Sequence, residues 1–390
     1  MSDNLAREEV VGRAQMITIA AAIICISVAG IGLSLTAPLI SLLLSAQGVS
    51  ATTIGVMTAF ASFSSIVTSP FVPRLALLLG LRNFLVMSLA LSTGILCLFP
   101  VLTSLTAWFI LRFILGITIN CLFVLSEYWI NAASPDARRG LIMGIYATAL
   151  TIGFAAGPGL IVLSNGATLW LFIVGAAFFA VASVPIFFAG KDAPPLEGKS
   201  GVSPWGFVLI APTATLAAFV FGTVEQGSFA FMTLYGEALH LSVANSAWLL
   251  TLFGLGNVIS QVPLGFLADK VNRPLLLLAC TLVSTVGALM MPVVSSSLPA
   301  LMSVAFVTGG VVGGLYTVGL AHLGAHFSGG TLATANAAFI MFYCLGMMIG
   351  TPLMGVAVDT VRPHGFAYGL ASICGAYALL VAWRLRTHTS

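Results

Sequence analysis

Twelve long apolar runs, separated by short polar interruptions, account for most of the chain. A helix that crosses a bilayer needs about 20 apolar residues, and each run is about that long or longer. Backbone groups cannot stay unpaired in lipid, and the runs lack the alternation that a membrane β-barrel needs. The pattern predicts an all-α membrane protein with twelve transmembrane helices. The predicted spans are residues 16–45, 52–74, 83–101, 105–131, 140–163, 167–189, 205–235, 243–268, 274–294, 298–325, 331–357 and 364–385.

The composition excludes a soluble protein. Of 390 residues, 59% are hydrophobic and 6% are charged, whereas a soluble domain carries about 25% charged residues. Twelve spans use nearly the whole chain, which leaves little room for a domain outside the membrane. The first apolar run is too long for a cleavable signal, whose apolar region has about 7–15 residues, so we expect it to be a retained helix.

The charges and cysteines argue against two other classes of function. The net charge of +3 comes from basic residues spread along the chain, whereas nucleic-acid binding needs them clustered. All six cysteines lie in apolar runs without a CxxC pair, so we interpret them as small buried residues and expect no metal site.

The basic residues also predict an orientation, because Lys and Arg concentrate in cytoplasmic loops. With the N-terminus inside, twelve of the fourteen Lys and Arg residues fall in cytoplasmic segments. The other two are Arg112, inside span four, and Arg362, in an outside loop. We therefore expect a multi-pass protein of the inner (cytoplasmic) membrane with both termini in the cytoplasm.

The longest polar interruption, residues 191–204, is rich in proline, glycine and charge, as a linker should be. It divides the chain into residues 1–190 and 205–390, with six spans in each. Two motifs recur at nearly one offset, about 193 residues. The first is Gly153-x-x-x-Gly157-Pro158 in span five, which recurs as Gly346-x-x-x-Gly350-x-Pro352 in span eleven. The second motif lies in the loop after span two and recurs in the loop after span eight. The sequence thus predicts two pseudo-symmetric six-helix halves.

The second motif resembles the signature loop of the major facilitator superfamily, G-x-L-a-D-r-x-G-r. After span eight, Gly265, Asp269, Lys270 and Arg273 match it, and after span two only Gly80 and Arg82 remain. Arg112-x-x-x-Gly116 and Gly157-Pro158 resemble two further elements of that family, the latter common in proton-coupled exporters. Residues 126–129 with 138–140 most resemble its YcaD-like branch. The resemblance implies the major facilitator fold and a gating role for the loop residues and for the glycine-proline elements.

Three ionisable residues lie inside predicted spans: Arg112, Glu127 and Glu225. A charge in the bilayer costs at least about 2.5–3.5 kcal/mol, so each needs a partner, water or a function. In span four, Arg112, Gly116, Asn120, Glu127 and Asn131 form one polar stripe on an apolar helix, which suggests a face turned toward a water-filled cavity.

Each of these residues has a structural interpretation beside the functional one. Glu127 either forms a salt bridge with arginines at the cytoplasmic face or binds a proton or cation. Glu225, with neighbouring Gln226, either binds a proton or a cationic substrate group or makes an interdomain hydrogen bond. Arg112 either anchors span four through carbonyl groups or lowers the proton affinity of a nearby acid.

Weaker candidates for the substrate cavity are polar pairs on two other spans. Asn257 and Gln261 lie one turn apart in span eight, and Asn336 and Tyr343 share a face of span eleven. Such side chains often only join helices, at about 0.6 kcal/mol each. We interpret His322 and His326 as interfacial residues and not as metal ligands.

The leading functional hypothesis is a secondary active transporter that moves a small organic solute by alternating access. Proton-coupled efflux of a drug-like or amphipathic metabolite fits the buried acids and the exporter-like element. A passive facilitator or importer of a metabolite is the alternative, and a non-transporting sensor or membrane enzyme is a third. No G-x-x-x-x-G-K-[ST] sequence is present, so ATP is not the expected energy source. We expect no cofactor, and as partners a small-molecule substrate, protons and the lipid bilayer, for a protein that works as a monomer.

Overall fold

The computed structural model describes residues 13–69, 71–133, 139–164, 166, 168–188, 210–327 and 329–387. These residues form thirteen α-helices and no strand. The helices, numbered in chain order, are α1 Arg13–Ala46, α2 Ala51–Thr68, α3 Val72–Leu79, α4 Leu81–Leu98, α5 Leu105–Ala133, α6 Arg139–Leu163, α7 Trp170–Phe188, α8 Pro212–Ala238, α9 Val243–Ala268, α10 Arg273–Val293, α11 Leu298–His326, α12 Gly329–Thr360 and α13 Gly365–Thr387.

Twelve of these helices correspond to the twelve predicted spans, and the all-α prediction is confirmed. Ten helices within the described residues are long and apolar enough to cross a membrane. Large apolar side chains cover their surfaces: Leu163 and Val262 are 80% exposed and Leu379 is 74% exposed. Such a surface would be rare on a soluble protein, and it suits contact with lipid.

The short helix α3 was not predicted, and the prediction that span two continues to residue 74 was wrong. The second helix ends at Thr68, and α3 begins at Val72 with a proline in its first turn. A proline is tolerated in the first turn of a helix but not in its interior, so Pro73 starts a new helix and cannot extend the old one. Gly80, with φ +79°, then separates α3 from α4.

The prediction that the cysteines are buried is confirmed for four of the six. Cys25, Cys121, Cys280 and Cys374 are buried, whereas Cys344 is half-buried and Cys97 is exposed on α4. The prediction of a buried Cys97 was therefore wrong, because an apolar span presents part of its surface outward and a small thiol is tolerated there.

The chain divides into two compact units. The first comprises residues 1–33, 67–154 and 172–198. Its core includes a cluster of Phe99, Trp108 and Phe172, in which Phe99 and Phe172 stack with ring centroids 4.7 Å apart. The Trp108 indole donates a 2.5 Å hydrogen bond to the carbonyl of Leu102, so the cluster ties the start of α5 to the preceding turn.

The second unit comprises residues 34–66, 155–171 and 199–390. In it α8 packs against α12, α9 against α11, and α10 against α11 and α13. It also includes most of α2 and the end of α1, which precede the predicted linker at 191–204. That linker lies outside the described residues.

Candidate functional site

A carboxyl group lies at the midpoint of α8 and is held by a residue of α12. Tyr343 Oη donates a 2.5 Å hydrogen bond to Glu225 Oε2. Both side chains are half-buried, so the pair keeps an accessible surface. The sequence singled out these two residues separately, and the fold brings them together although 118 positions separate them.

Close contact between the two helix backbones positions this pair. A Cβ on Gly346 would overlap the carbonyl of Phe219, and one on Gly222 would overlap the carbonyl of Tyr343. Thr223 Oγ1 adds a 3.0 Å hydrogen bond to the Gly346 carbonyl. Small residues permit this approach between membrane helices, and it fixes Tyr343 opposite Glu225.

Tyr343 also packs in a group of four aromatic rings, which we call the aromatic cluster: Phe221, Tyr316, Phe339 and Tyr343. Tyr316 lies 5.3 Å from Phe221 and 5.2 Å from Phe339, measured between ring centroids. Phe221 and Tyr343 stack at 5.8 Å with an interplanar angle of 24°. The faces of such rings attract cations, so a carboxyl group beside them suits either a proton or an organic cation.

The other polar candidates of the second unit do not take part in the hydrogen bond between Tyr343 and Glu225. Gln226 is buried, with 2% exposed. Gln261 donates a 3.3 Å hydrogen bond to Asn257 on its own helix, α9. Asn336 lies in α12, but its side chain is outside the described part of the structure.

The polar stripe of α5 lies in the first unit. Arg112 is 2% exposed, which makes it one of the largest buried side chains. Asn120 joins α5 to the end of α2, because its Nδ2 donates a 3.1 Å hydrogen bond to Ser69 Oγ and a longer one to Thr68. The side chain of Glu127 lies outside the described residues, as do those of Arg138 and Arg139.

The signature loop lies between α9 and α10. Asp269 forms a 3.7 Å ion pair with Arg273, and Lys270 Nζ lies 4.1 Å from the centre of the Phe266 ring. A Cβ on Gly265 would meet only Thr317, at 3.5 Å. At the corresponding position of the first half, Arg82 lies in the first turn of α4, is half-buried and donates to the neighbouring Asn83.

The glycine-proline elements pack against different helices. Gly153 and Gly157 of α6 lie against Ser27 and Ser34 of α1. Gly346 and Gly350 of α12 lie against Phe219 and Thr223 of α8. These four glycines therefore allow α6 to pack closely against α1 and α12 against α8. Pro158 and Pro352 lie inside α6 and α12.

One charged residue with evident structural importance was missed in the sequence. Asp359, at the end of α12, accepts hydrogen bonds from the backbone N–H groups of Ala51 and Thr52, at 3.0 and 2.8 Å. Thr52 Oγ1 donates a third, at 2.6 Å, to the same carboxylate. Arg362 Nη2 lies 3.6 Å from Asp359 Oδ1, the oxygen that also accepts from Ala51. The sequence offers only two signals of this contact. One is an acid after the last apolar residue of a span, and the other is the Ser-Ala-Thr-Thr sequence at the start of another helix.

The backbones are also close at this contact, which we call the α2–α12 latch. A Cβ on Gly55 would lie 2.7 Å from the carbonyl oxygen of Thr351, and one on Gly355 would lie 2.5 Å from that of Ala51. The N-terminus of α2 carries partial positive charge and unpaired N–H donors. A carboxylate from α12 satisfies both, so the latch joins a helix of the N-terminal half to one of the C-terminal half.

Known proteins resemble this chain over nearly its full length. The sequence profile of the Major Facilitator Superfamily matches residues 22–244 and 214–390. An uncharacterized MFS-type transporter of Bacillus subtilis, YfkF, is 27% identical over 352 residues, which is 89% of this chain and 90% of that protein. The uncharacterized MFS-type transporter YcaD of Salmonella arizonae is 23% identical over 305 residues, 77% of this chain and 78% of its own.

Solved structures share the fold at low sequence identity. The nucleoside transporter NupG gives a TM-score of 0.73 at 13% identity, over 96% of this chain and 99% of that one. A bacterial homolog of the human lysosomal transporter Spinster, inward-facing and unoccupied, gives 0.74 at 14% identity over 95% of each chain. The predicted fold, the resemblance to the YcaD-like branch and the assignment as a transporter are confirmed. The chain belongs to the Major Facilitator Superfamily of membrane transporters.

Proposed function

We propose that this transporter exports a small organic cation in exchange for protons, with Glu225 as the group for which the two compete. The observation that carries the proposal is the hydrogen bond from Tyr343 to Glu225 at the midpoint of α8. An ionisable residue at membrane depth is costly and marks an ion pathway. The ionised carboxylate would bind the cation, and the protonated carboxyl, which has no charge, would release it.

The aromatic cluster supports an amphipathic or drug-like solute. An ammonium group over an aromatic face gains about 0.5–2 kcal/mol, and the ring faces of Phe221, Tyr316 and Tyr343 add apolar contact. The structural neighbours are a nucleoside transporter and a Spinster homolog. At 13–14% identity these neighbours show a shared fold and do not indicate the substrate of this chain.

Alternating access would move two halves, residues 1–190 and 205–390, about a central site. In this proposal both termini are cytoplasmic, in the inner membrane, and the protein works as a monomer. The α2–α12 latch then lies at the outer face, where it holds that side closed. The signature loop and its counterpart at Arg82 would control opening at the inner face. The loop residues concerned are Gly265, Asp269, Lys270 and Arg273.

Arg112 and Glu127 on α5 are the second part of the proposal. A buried cation on α5 would disfavour proton binding to a nearby acid, and Glu127 is the second candidate acid. Five polar residues are the candidates for solute contact: Asn120, Asn257, Gln261, Gln226 and Asn336. The glycine-proline elements are the points at which α6 and α12 would bend.

The test uses the purified protein in proteoliposomes with a pH-sensitive dye inside. A panel of quaternary and tertiary amines, nucleosides and neutral metabolites is added in turn. We expect amines to trigger proton movement in the wild type and not in Glu225→Gln. Solute movement with no pH change in either protein would favour the passive facilitator and leave Glu225 a structural role.

A further inference from the structure

A cavity lies in the C-terminal half, and Glu225 and Tyr343 are not among the residues that line it. It has a volume of about 460 Å³ and is bounded by the first turn of α8, the start of α10 and the last turns of α11 and α13. These helix ends lie at the same face as the signature loop, which the distribution of basic residues predicts to be cytoplasmic. The cavity therefore opens near the level of the inner lipid headgroups.

Basic groups line this cavity from two helices. His322 and His326 come from α11, with ring centroids 4.4 Å apart, and Arg384 comes from the last turn of α13. Arg273 and Arg384 both lie within electrostatic range of His322. Among the described residues, no aspartate or glutamate lines the cavity. Arg384 carries a positive charge and the two imidazole rings can donate hydrogen bonds, so an anion there would be attracted.

Two helix N-termini add to this positive field. The first turn of α8 lines the cavity at Pro212 and Thr213, and Ala211 before it supplies no side-chain cap. The start of α10 contributes Asn272 and Pro274, and there the Asn272 side chain already accepts a hydrogen bond from the Leu275 N–H, so α10 adds mainly its dipole. Helix N-termini carry partial positive charge and free N–H donors, which makes them sites for phosphate and other anions.

A buried polar atom without a hydrogen-bond partner belongs to a residue that lines this cavity. Nδ1 of His322 is buried and makes no hydrogen bond. A buried polar atom left without a partner costs about 1–3 kcal/mol, and an anion oxygen would supply one. The rest of the lining is apolar, with Leu323, Phe327 and Leu385 among it, which suits a phosphate attached to an apolar body.

We propose that this cavity binds a phosphate group, carried either by an anionic lipid of the inner leaflet or by a free phosphate compound in the cytoplasm. Arg384 and His322 would contact the phosphate oxygens, together with the N–H groups at the start of α8. The site is separate from the transport site, and its test does not depend on Glu225 or on a known solute.

The experiment measures binding to the full-length purified protein by native mass spectrometry. One arm adds phosphatidylglycerol, with phosphatidylcholine as the neutral-headgroup comparison, and the other adds inorganic phosphate alone. The variants are Arg384→Gln, the pair His322→Gln with His326→Gln, and Arg384→Lys, which keeps the charge. Arg386→Gln is the matched control, because Arg386 lies in the same last turn but does not line the cavity. Thermal unfolding in detergent checks that each variant folds.

We expect binding to weaken at least tenfold in Arg384→Gln and in the variant with both histidines replaced. Binding should persist in Arg384→Lys and in Arg386→Gln. If phosphatidylglycerol follows this pattern, the ligand is a lipid headgroup. If inorganic phosphate follows it and phosphatidylglycerol does not, the ligand is a free phosphate compound. Equal binding of both probes to folded wild type, Arg384→Gln and Arg386→Gln would overturn the proposal, as would no binding to the wild type.

Discussion

Thr52 donates two hydrogen bonds to Asp359, one from its backbone N–H at 2.8 Å and one from its hydroxyl at 2.6 Å. The two residues are 307 positions apart and lie in different halves of the sequence. A carboxylate that accepts from the first N–H groups of a helix is stabilised by both the donors and the helix dipole. This contact fastens the end of α12 to the start of α2.

Replacing Asp359 with Asn should loosen the latch. Asparagine keeps the size of the side chain but loses the negative charge, and a charge-assisted hydrogen bond contributes about 1.5–3 kcal/mol. We expect amide hydrogen exchange at Ala51 and Thr52 to become at least tenfold faster. Asp269→Asn, in the signature loop, is the control and should leave exchange in this segment unchanged. Equal protection in wild type and Asp359→Asn would show that the carboxylate does not hold α2.

Gly346→Ala should destabilise the protein, because its Cβ would overlap the Phe219 carbonyl and push α12 away from α8. Overpacking of this kind costs about 1–3 kcal/mol. Gly254→Ala provides a matched control, since a Cβ at that position of α9 meets nothing within 4 Å. Thermal unfolding in detergent should show a lower midpoint for Gly346→Ala alone. A similar midpoint for both variants would contradict the close backbone contact.

Tyr343→Phe should weaken the binding of cationic solute without preventing folding. The substitution removes the hydroxyl that holds Glu225 and keeps the ring that stacks on Phe221. A hydrogen bond to a charged group contributes about 1.5–3 kcal/mol, so the apparent affinity in counterflow should fall about tenfold or more. Tyr377→Phe is a control in the same half, because its hydroxyl bonds to the Thr213 carbonyl and not to Glu225. Unchanged affinity in Tyr343→Phe would remove this hydroxyl from the site.

Asn120→Ala tests whether the polar stripe of α5 serves structure or transport. Its amide bonds to Ser69 and Thr68, and such interhelical bonds average about 0.6 kcal/mol. We expect a small loss of thermal stability and normal counterflow. If transport is lost while the unfolding midpoint stays close to wild type, Asn120 contacts solute or water in the cavity instead.

The sequence predicted the number of spans and several members of the candidate site, for separate physical reasons. Apolar runs identify spans because lipid admits no unpaired backbone, and Glu225 stood out because a charge in such a run is costly. Tyr343 was found on a polar face, but its pairing with Glu225 depends on how α8 and α12 pack. Asp359 was missed because it follows the last apolar turn, where an acid looks like an ordinary loop residue. Only the fold brings it to the start of α2.

The most direct measurement imposes a proton gradient on sealed proteoliposomes and follows the uptake of a radiolabelled organic cation against its own gradient. Wild type is compared with Glu225→Gln and with Glu237→Gln, which removes an acid from the end of the same helix. We predict accumulation by the wild type and by Glu237→Gln, and none by Glu225→Gln. Accumulation by Glu225→Gln equal to that of the wild type would contradict the assignment of Glu225 as the site of exchange.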